Sequence, residues 1–157
     1  ADSSAIIQYL EARFPEPSLI PQDSEMRGKT IWFEEFADTV LTSCGAKMFY
    51  NRVVLPRFFG KPGNEEEAKN AECDELPPLL DYLERTVPEP GEFLVGSQIT
   101  LADIAVASPF ANFTHLGCTR DPVRHQRVYA YVDSILERPS FRPWIEREAS
   151  ILAKVAA

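Results

Sequence analysis

Apolar positions recur at helical spacing along almost the whole chain. Ile6, Ile7, Leu10 and Phe14 form one stripe over residues 3–13, and Phe14-Pro15 ends it, because a residue before proline is pushed out of the helical region. The segment Pro15-Glu16-Pro17-Ser18-Leu19-Ile20-Pro21 is too rich in proline to be helical and reads as a stiff interdomain linker. A long helix is predicted from about Ser24. It carries Phe33, Ala37, Val40 and Cys44 on one face and Trp32, Phe36 and Thr39 on a second. Two part-apolar faces imply packing on more than its own domain core. Met48–Phe59 continues it as far as the loop Gly60-Lys61-Pro62-Gly63.

The second half keeps the same period. Leu76, Leu79, Leu80, Leu83 and Val87 make the cleanest stripe, within residues 64–87. Pro77-Pro78 lies inside it, so a kink or break is expected there. After the loop Pro88-Glu89-Pro90-Gly91, residues 93–105 carry a full set of helix-start signals. Thr100 is the N-cap, Asp103 can reach back to the Thr100 N–H as a capping box, and Ile99 and Ile104 can form a hydrophobic staple. Ile104-Ala105-Val106-Ala107 is apolar all round, so this helix is expected to be central and buried, reaching about residue 116 with a bend at Pro109. Asp121-Pro122 reads as N-cap and first helical proline of a helix carrying Val128, Tyr131, Val132 and Ile135, which ends at Arg138-Pro139. Ser140 is expected to cap a last helix through Phe141, Trp144, Ile145 and Ile151. No segment alternates as a strand. The fold class is an all-α bundle.

Length and charge narrow the function. A chain of 157 residues holds one domain, or one domain and part of another. It starts with Ala, not Met, and is expected to be a fragment or a processed product. A net charge of -8 argues against nucleic acid and against anionic membrane surfaces. No run reaches membrane-span length, and the N-terminus lacks a basic-then-apolar signal pattern. Cys44, Cys73 and Cys118 form no C-x-x-C pair and read as free thiols of a reducing compartment, hence cytoplasmic. His115 and Cys118 are too few to make a metal site, so no metal is expected. His115 and His125 have no nucleophile in a motif beside them and read as packing or surface residues. Glu65-Glu66-Glu67 opens a helix, where acidic side chains suit the dipole.

Four motifs, in order, resemble the cytosolic glutathione transferase family. Asp2-Ser3-Ser4-Ala5-Ile6-Ile7-Gln8-Tyr9-Leu10 is similar to the motif that closes that family's thioredoxin-like domain. Leu19-Ile20-Pro21 resembles its interdomain connection. Phe93-Leu94-Val95-Gly96 with Ile99-Thr100-Leu101-Ala102-Asp103 resembles its buried-helix signature, and Arg138-Pro139-Ser140-Phe141 its penultimate turn. The resemblance implies residues 1–21 as the last helix of a thioredoxin-like domain plus linker, and 22–157 as a C-terminal all-helical domain. It implies glutathione as co-substrate, a small apolar electrophile, a homodimer and a role in detoxification. In the family the activating Ser, Tyr or Cys lies upstream of the first of these motifs, so no residue of this chain is expected to be catalytic.

By that resemblance Ser3 takes the γ-glutamyl carboxylate of glutathione, Asp2 holds its ammonium, and Glu25 reaches glutathione across the dimer. Read locally, Asp2 or Ser3 is a helix cap and Glu25 a solvated first-turn residue. The long helix is expected to wall the electrophile pocket with Phe36, Thr39, Thr42, Ser43 and Phe49, against ordinary packing and solvent-facing roles for each. Thr100 and Asp103 are fully explained as structural caps, and Cys44 as a buried inert thiol. The alternative to an enzyme is a non-catalytic interaction module built on the same helical domain.

Overall fold

The computed structural model describes residues 2–155; Ala1 and residues 156–157, which the predicted domains include, lie outside the described residues. Every regular element among the described residues is helical: α1 (Ser3–Arg13), α2 (Ser24–Glu35), α3 (Thr42–Phe49), α4 (Glu65–Asn70), α5 (Leu76–Thr86), α6 (Leu101–Leu116), α7 (Gln126–Leu136) and α8 (Arg142–Val155). A π-helical stretch, Phe36–Leu41, joins α2 to α3, and a second, Tyr50–Phe58, extends α3, so residues 24–58 form one rod. A third, Ala71–Glu75, joins α4 to α5.

These wide turns explain what helical spacing alone misplaces. Phe33, Ala37, Leu41, Cys44 and Met48 are buried, whereas Val40 is half exposed. The Thr42 N–H bonds the Ala37 carbonyl five residues back, and this widened turn carries Leu41 into the core in place of Val40. Pro77-Pro78 does not break its helix either. The prolines occupy the first turn of α5, and the Leu76 N–H bonds Ala71 O across the wide turn just before them. That turn lies where proline rings would strike the carbonyls four residues earlier. Pro56 sits inside the second stretch in the same way.

The core gathers on α6. Leu101, Ala102, Asp103, Val106, Ala107, Phe110, Ala111 and Phe113 are all buried on it. It packs against α2, α3 and α7. Tyr131, Phe110, Leu41, Met48, Leu83 and Ile135 are among the largest fully enclosed side chains, each worth about 1.5–3 kcal/mol of transfer from water. Leu76, Leu80, Leu83 and Val87 of the expected stripe are buried, with Leu79 packed at the margin.

Two predicted caps differ. α7 starts at Gln126 rather than beside Pro122; Asp121 instead closes the preceding turn by accepting from Val123 N (3.1 Å) and Arg124 N (3.0 Å). The free amides of α7 are taken from afar. Glu84 of α5 accepts from Arg127 N at 3.0 Å and Val128 N at 2.9 Å. Arg127 returns the exchange, donating to Val87 O, just past the end of α5, at 2.7 Å. α8 begins at Arg142, after a turn closed by the Arg138 carbonyl, which accepts from Phe141 N and Arg142 N. No helix among the described residues is long and apolar enough to cross a membrane.

Candidate functional site

A cleft of about 850 Å³ opens between α1, the long rod, α6 and α8. Its floor is a single stripe down the rod: Glu34, Asp38, Thr42, Gly45 and Phe49, which spans about 20 Å at the rise of a helix. Opposite lie Ile104, Ala105, Ser108, Asn112 and Phe113 of α6, and Phe141, Trp144, Ile145 and Glu148 close one side. Ser3 and Ile7 bring α1 to the same space. The cleft stays open because the facing helices present small side chains, Ala37, Gly45, Ala46, Ala105 and Ser108, where Leu or Phe would fill it. Gly45 has a second role. A Cβ there would lie 2.8 Å from the Phe113 ring, so glycine lets that ring lie flush against the rod.

A smaller space of about 190 Å³ adjoins it, sharing Phe49, Asn112 and Glu148 and adding His115, Ile151 and Leu152. His115 Nε2 lies 3.3 Å from Glu148 Oε2 there.

Local bonds fix α1 at the cleft mouth. Asp2 is the N-cap, its Oδ1 accepting from Ser4 N (3.0 Å) and Ala5 N (3.4 Å). The Ser4 hydroxyl donates to Glu34 Oε1 at 2.7 Å. Glu11 accepts from Leu19 N at 2.9 Å, and the Leu19 carbonyl accepts from Leu101 N at 2.8 Å. Linker, α1 and the first turn of α6 are thus tied together. The packing of α1 itself is slight. None of its described residues is buried, and Ile6, Tyr9, Leu10 and Phe14 are about half exposed.

The predicted site residues separate into two groups. Ser3, Thr42 and Phe49 line the cleft. Asp2 neighbours Ser3 but spends Oδ1 on its own helix. Phe36 does not wall the cleft: it is buried on another side of the rod, its ring 5.0 Å from that of Tyr82. Thr39 and Ser43 are exposed and turn back onto their own helix, their hydroxyls donating to the carbonyls of Glu35 and Thr39. Such back-bonding satisfies a polar side chain in a helix without any partner outside it. Glu25 is exposed and pairs with Lys29 one turn on, at 2.7 Å. Residues missed from the sequence are Ile7 of α1, Glu34, Asp38 and Gly45 of the rod, and those of α6 and α8. The available signal on α6 was the run Ala105, Ser108, Pro109, Asn112, small or polar positions at helical spacing on a helix otherwise read as wholly buried.

Thr100 and Asp103 sit away from the cleft mouth as structural groups. Asp103 is fully buried and accepts four bonds: from Leu94 N (2.8 Å), Tyr131 Oη (2.6 Å), Thr100 N (2.7 Å) and Thr100 Oγ1 (3.0 Å). The thiols near the rod are unreactive. Burial, and secondarily Glu75, pushes the Cys44 thiol up to about 11 against a small opposing pull from Lys47. Burial likewise raises Cys118 to about 11. A thiol so raised holds little thiolate at neutral pH.

The family model described as Glutathione S-transferase, C-terminal domain, matches residues 51–148. The chain belongs to this family. Among curated glutathione S-transferases, theta-3 of Mus musculus is 29% identical over 119 residues, covering 75% of this chain and 49% of its own length. Glutathione S-transferase 1 of Dianthus caryophyllus is 29% identical over 154 residues, covering 97% of this chain and 66% of its own. The chain therefore spans about half to two thirds of the length of such relatives. A solved glutathione S-transferase from Rhodospirillum rubrum superposes with a TM-score of 0.79 at 21% identity, over 91% of this chain and 63% of that one. At that identity the likeness speaks for the fold alone, and the fold is the helical bundle of the glutathione S-transferase C-terminal domain.

Proposed function

We propose that this chain supplies the helical half of a glutathione transferase, in which the thiolate of glutathione attacks an apolar electrophile lying in the cleft. The supporting observation is Ser3 at the mouth of a large, mostly apolar cavity. Asp2 is exposed and caps α1 through Oδ1. The Ser3 hydroxyl has no hydrogen-bond partner among the described residues. A helix start with a free amide and hydroxyl suits a carboxylate, and an aspartate beside it suits an ammonium; together they match the γ-glutamyl end of glutathione. In this reading residues 1–21 close a thioredoxin-like domain, 22–157 form the helical domain, and the group that favours the thiolate lies in sequence preceding Ser3.

Bond making is simple in outline: the thiolate sulfur forms the new C–S bond and the leaving group departs with its electron pair. The helical half holds the electrophile between Thr42 and Phe49 on the rod and Phe113 and Trp144 opposite. Phe36, Thr39 and Ser43 have no place in this mechanism. Glu25 belongs to it only through a homodimer. Half-exposed Met26, Trp32 and Val40 give α2 and the following turn apolar surface for such a partner.

The test is a chain extended upstream through the thioredoxin-like domain, assayed with glutathione and a chlorodinitrobenzene. Conjugation that falls at least about tenfold in Ser3→Ala, chiefly through a raised KM for glutathione, supports the reading. No retention of the extended protein on immobilised glutathione at millimolar ligand would overturn it and leave an interaction module.

A further inference from the structure

The cleft carries charge of one sign. Glu34, Asp38 and Glu148 line it, and among the described residues no Lys or Arg does; His115 reaches Glu148 only from the adjoining space. Elsewhere the molecule pairs carboxylates with cations: Glu72 with Arg52, Asp81 with Arg124, Glu75 with Lys47. Glu34 differs. It is only 5% exposed, and its partner is the neutral Ser4 hydroxyl. A carboxylate so enclosed is costly without a cation, and that cost remains until something positive enters. Asp38 follows one turn later on the same stripe. Aromatic rings of Phe49, Phe113, Phe141 and Trp144 also line the cleft, and aromatic faces attract cations as well as apolar groups.

We propose that the cleft selects aromatic ligands bearing a positive charge, steered by Glu34 and Asp38, and rejects those whose carboxylate or sulfonate has no ammonium beside it, unlike the zwitterionic γ-glutamyl end of glutathione. The proposal rests on the reading of the cleft as a ligand site and adds the charge class of what enters. Attraction and rejection come from the same residues. An anion would meet fixed like charges, of which Glu34 is buried and least screened by water while Asp38 and Glu148 are exposed, and this is the repulsive half of specificity. Among the described residues no lining cation offsets it.

Three probes with one ring system decide the matter: naphthylmethylammonium, naphthylmethanol and naphthoate, titrated calorimetrically into the protein. The ammonium is expected to bind at least about tenfold more tightly than naphthoate, with the alcohol between them. Raising salt should narrow the gap as the carboxylates are screened. Glu34→Gln with Asp38→Asn should bring the three affinities together. Asp38→Asn alone, whose carboxylate makes no hydrogen bond among the described residues, should give part of that effect should the double variant fail to fold. Equal binding of ammonium and naphthoate would overturn the charge preference while leaving the ligand site. A gap unchanged by either variant would overturn the assignment to these residues. Failure of all three probes to bind would remove the ligand site itself, and the preference with it.

Discussion

The Tyr131 hydroxyl donates to Asp103 Oδ1 at 2.6 Å, and both residues are fully buried. This bond joins α7 to the first turn of α6 and completes a carboxylate that also holds Leu94 N and Thr100 N. Tyr131→Phe should cost about 1–3 kcal/mol, as one donor to a buried carboxylate is lost. Asp103→Ala should cost more than about 3 kcal/mol, because it strands several donors at once. Urea unfolding followed by circular dichroism measures both. An Asp103→Ala variant as stable as Tyr131→Phe would contradict the hub role.

The same pair sets an alkaline limit. Burial first, and then Asp103, raises the Tyr131 phenol well above the ordinary tyrosine value of about 10. In the unfolded chain it loses its proton near pH 10, while in the fold it keeps it. The unfolded state then binds fewer protons, so stability is full below about pH 10 and falls as pH rises beyond it. Unfolding midpoints measured across that range should decline less steeply in Tyr131→Phe.

Asp81 sets an acid limit of opposite sign. The Arg124 guanidinium, and after it His125, lowers its carboxyl to about 2 from 3.8. Its contribution is present above the higher figure and fades as pH falls to the lower. Asp81→Asn should flatten the acid limb of the stability curve between those values. An unchanged limb would show that the pair adds nothing.

Two glycines predict opposite results. A Cβ on Gly63 would lie 1.8 Å from the Asn51 carbonyl oxygen, whereas one on Gly28 meets nothing within 4 Å. Gly63→Ala should destabilise by at least about 2 kcal/mol, since backbone must move. Gly28→Ala, in the exposed middle of α2, should stabilise by about 0.5–1 kcal/mol. Thermal midpoints that move in the same direction would refute the contrast.

The cleft itself can be narrowed. Thr42→Phe places a ring in the floor of the cavity and should weaken binding of naphthylmethanol about tenfold or more, while Thr39→Phe, on the exposed side of the rod, should leave it within about twofold. Calorimetric titration of the two variants separates the two sides of one helix.

Much of this molecule was legible because most of its helices keep strict period. The stripe through Leu80 and Leu83, the buried helix after Thr100 and the Val128–Ile135 face all pack as their spacing requires. The failures share a cause: the deciding partner is remote or the turn is not α-helical. Val40 and Leu41 exchange places because one wide turn shifts the phase, and Phe36 turns toward Tyr82, far along the chain. α7 is capped by Glu84, 43 positions before Arg127, so a search beside Pro122 could find only the Asp121 turn. Cleft walls on α6 and α8 were hidden for a related reason. Lack of a side chain large enough to fill a space leaves a faint trace in sequence.

The bonds that run from Glu11 to Leu19 and from Leu19 to Leu101 have a mechanical consequence. α1 buries almost nothing, yet a displacement of it is not dissipated in a loose connection. It is delivered to the first amide of the most enclosed helix, while the Ser4–Glu34 bond delivers it to the head of the rod. Ser3 is therefore mounted on a lever with two fixed points, one on each wall of the cleft, so that the helix with the least buried packing is also the one whose position both walls must share.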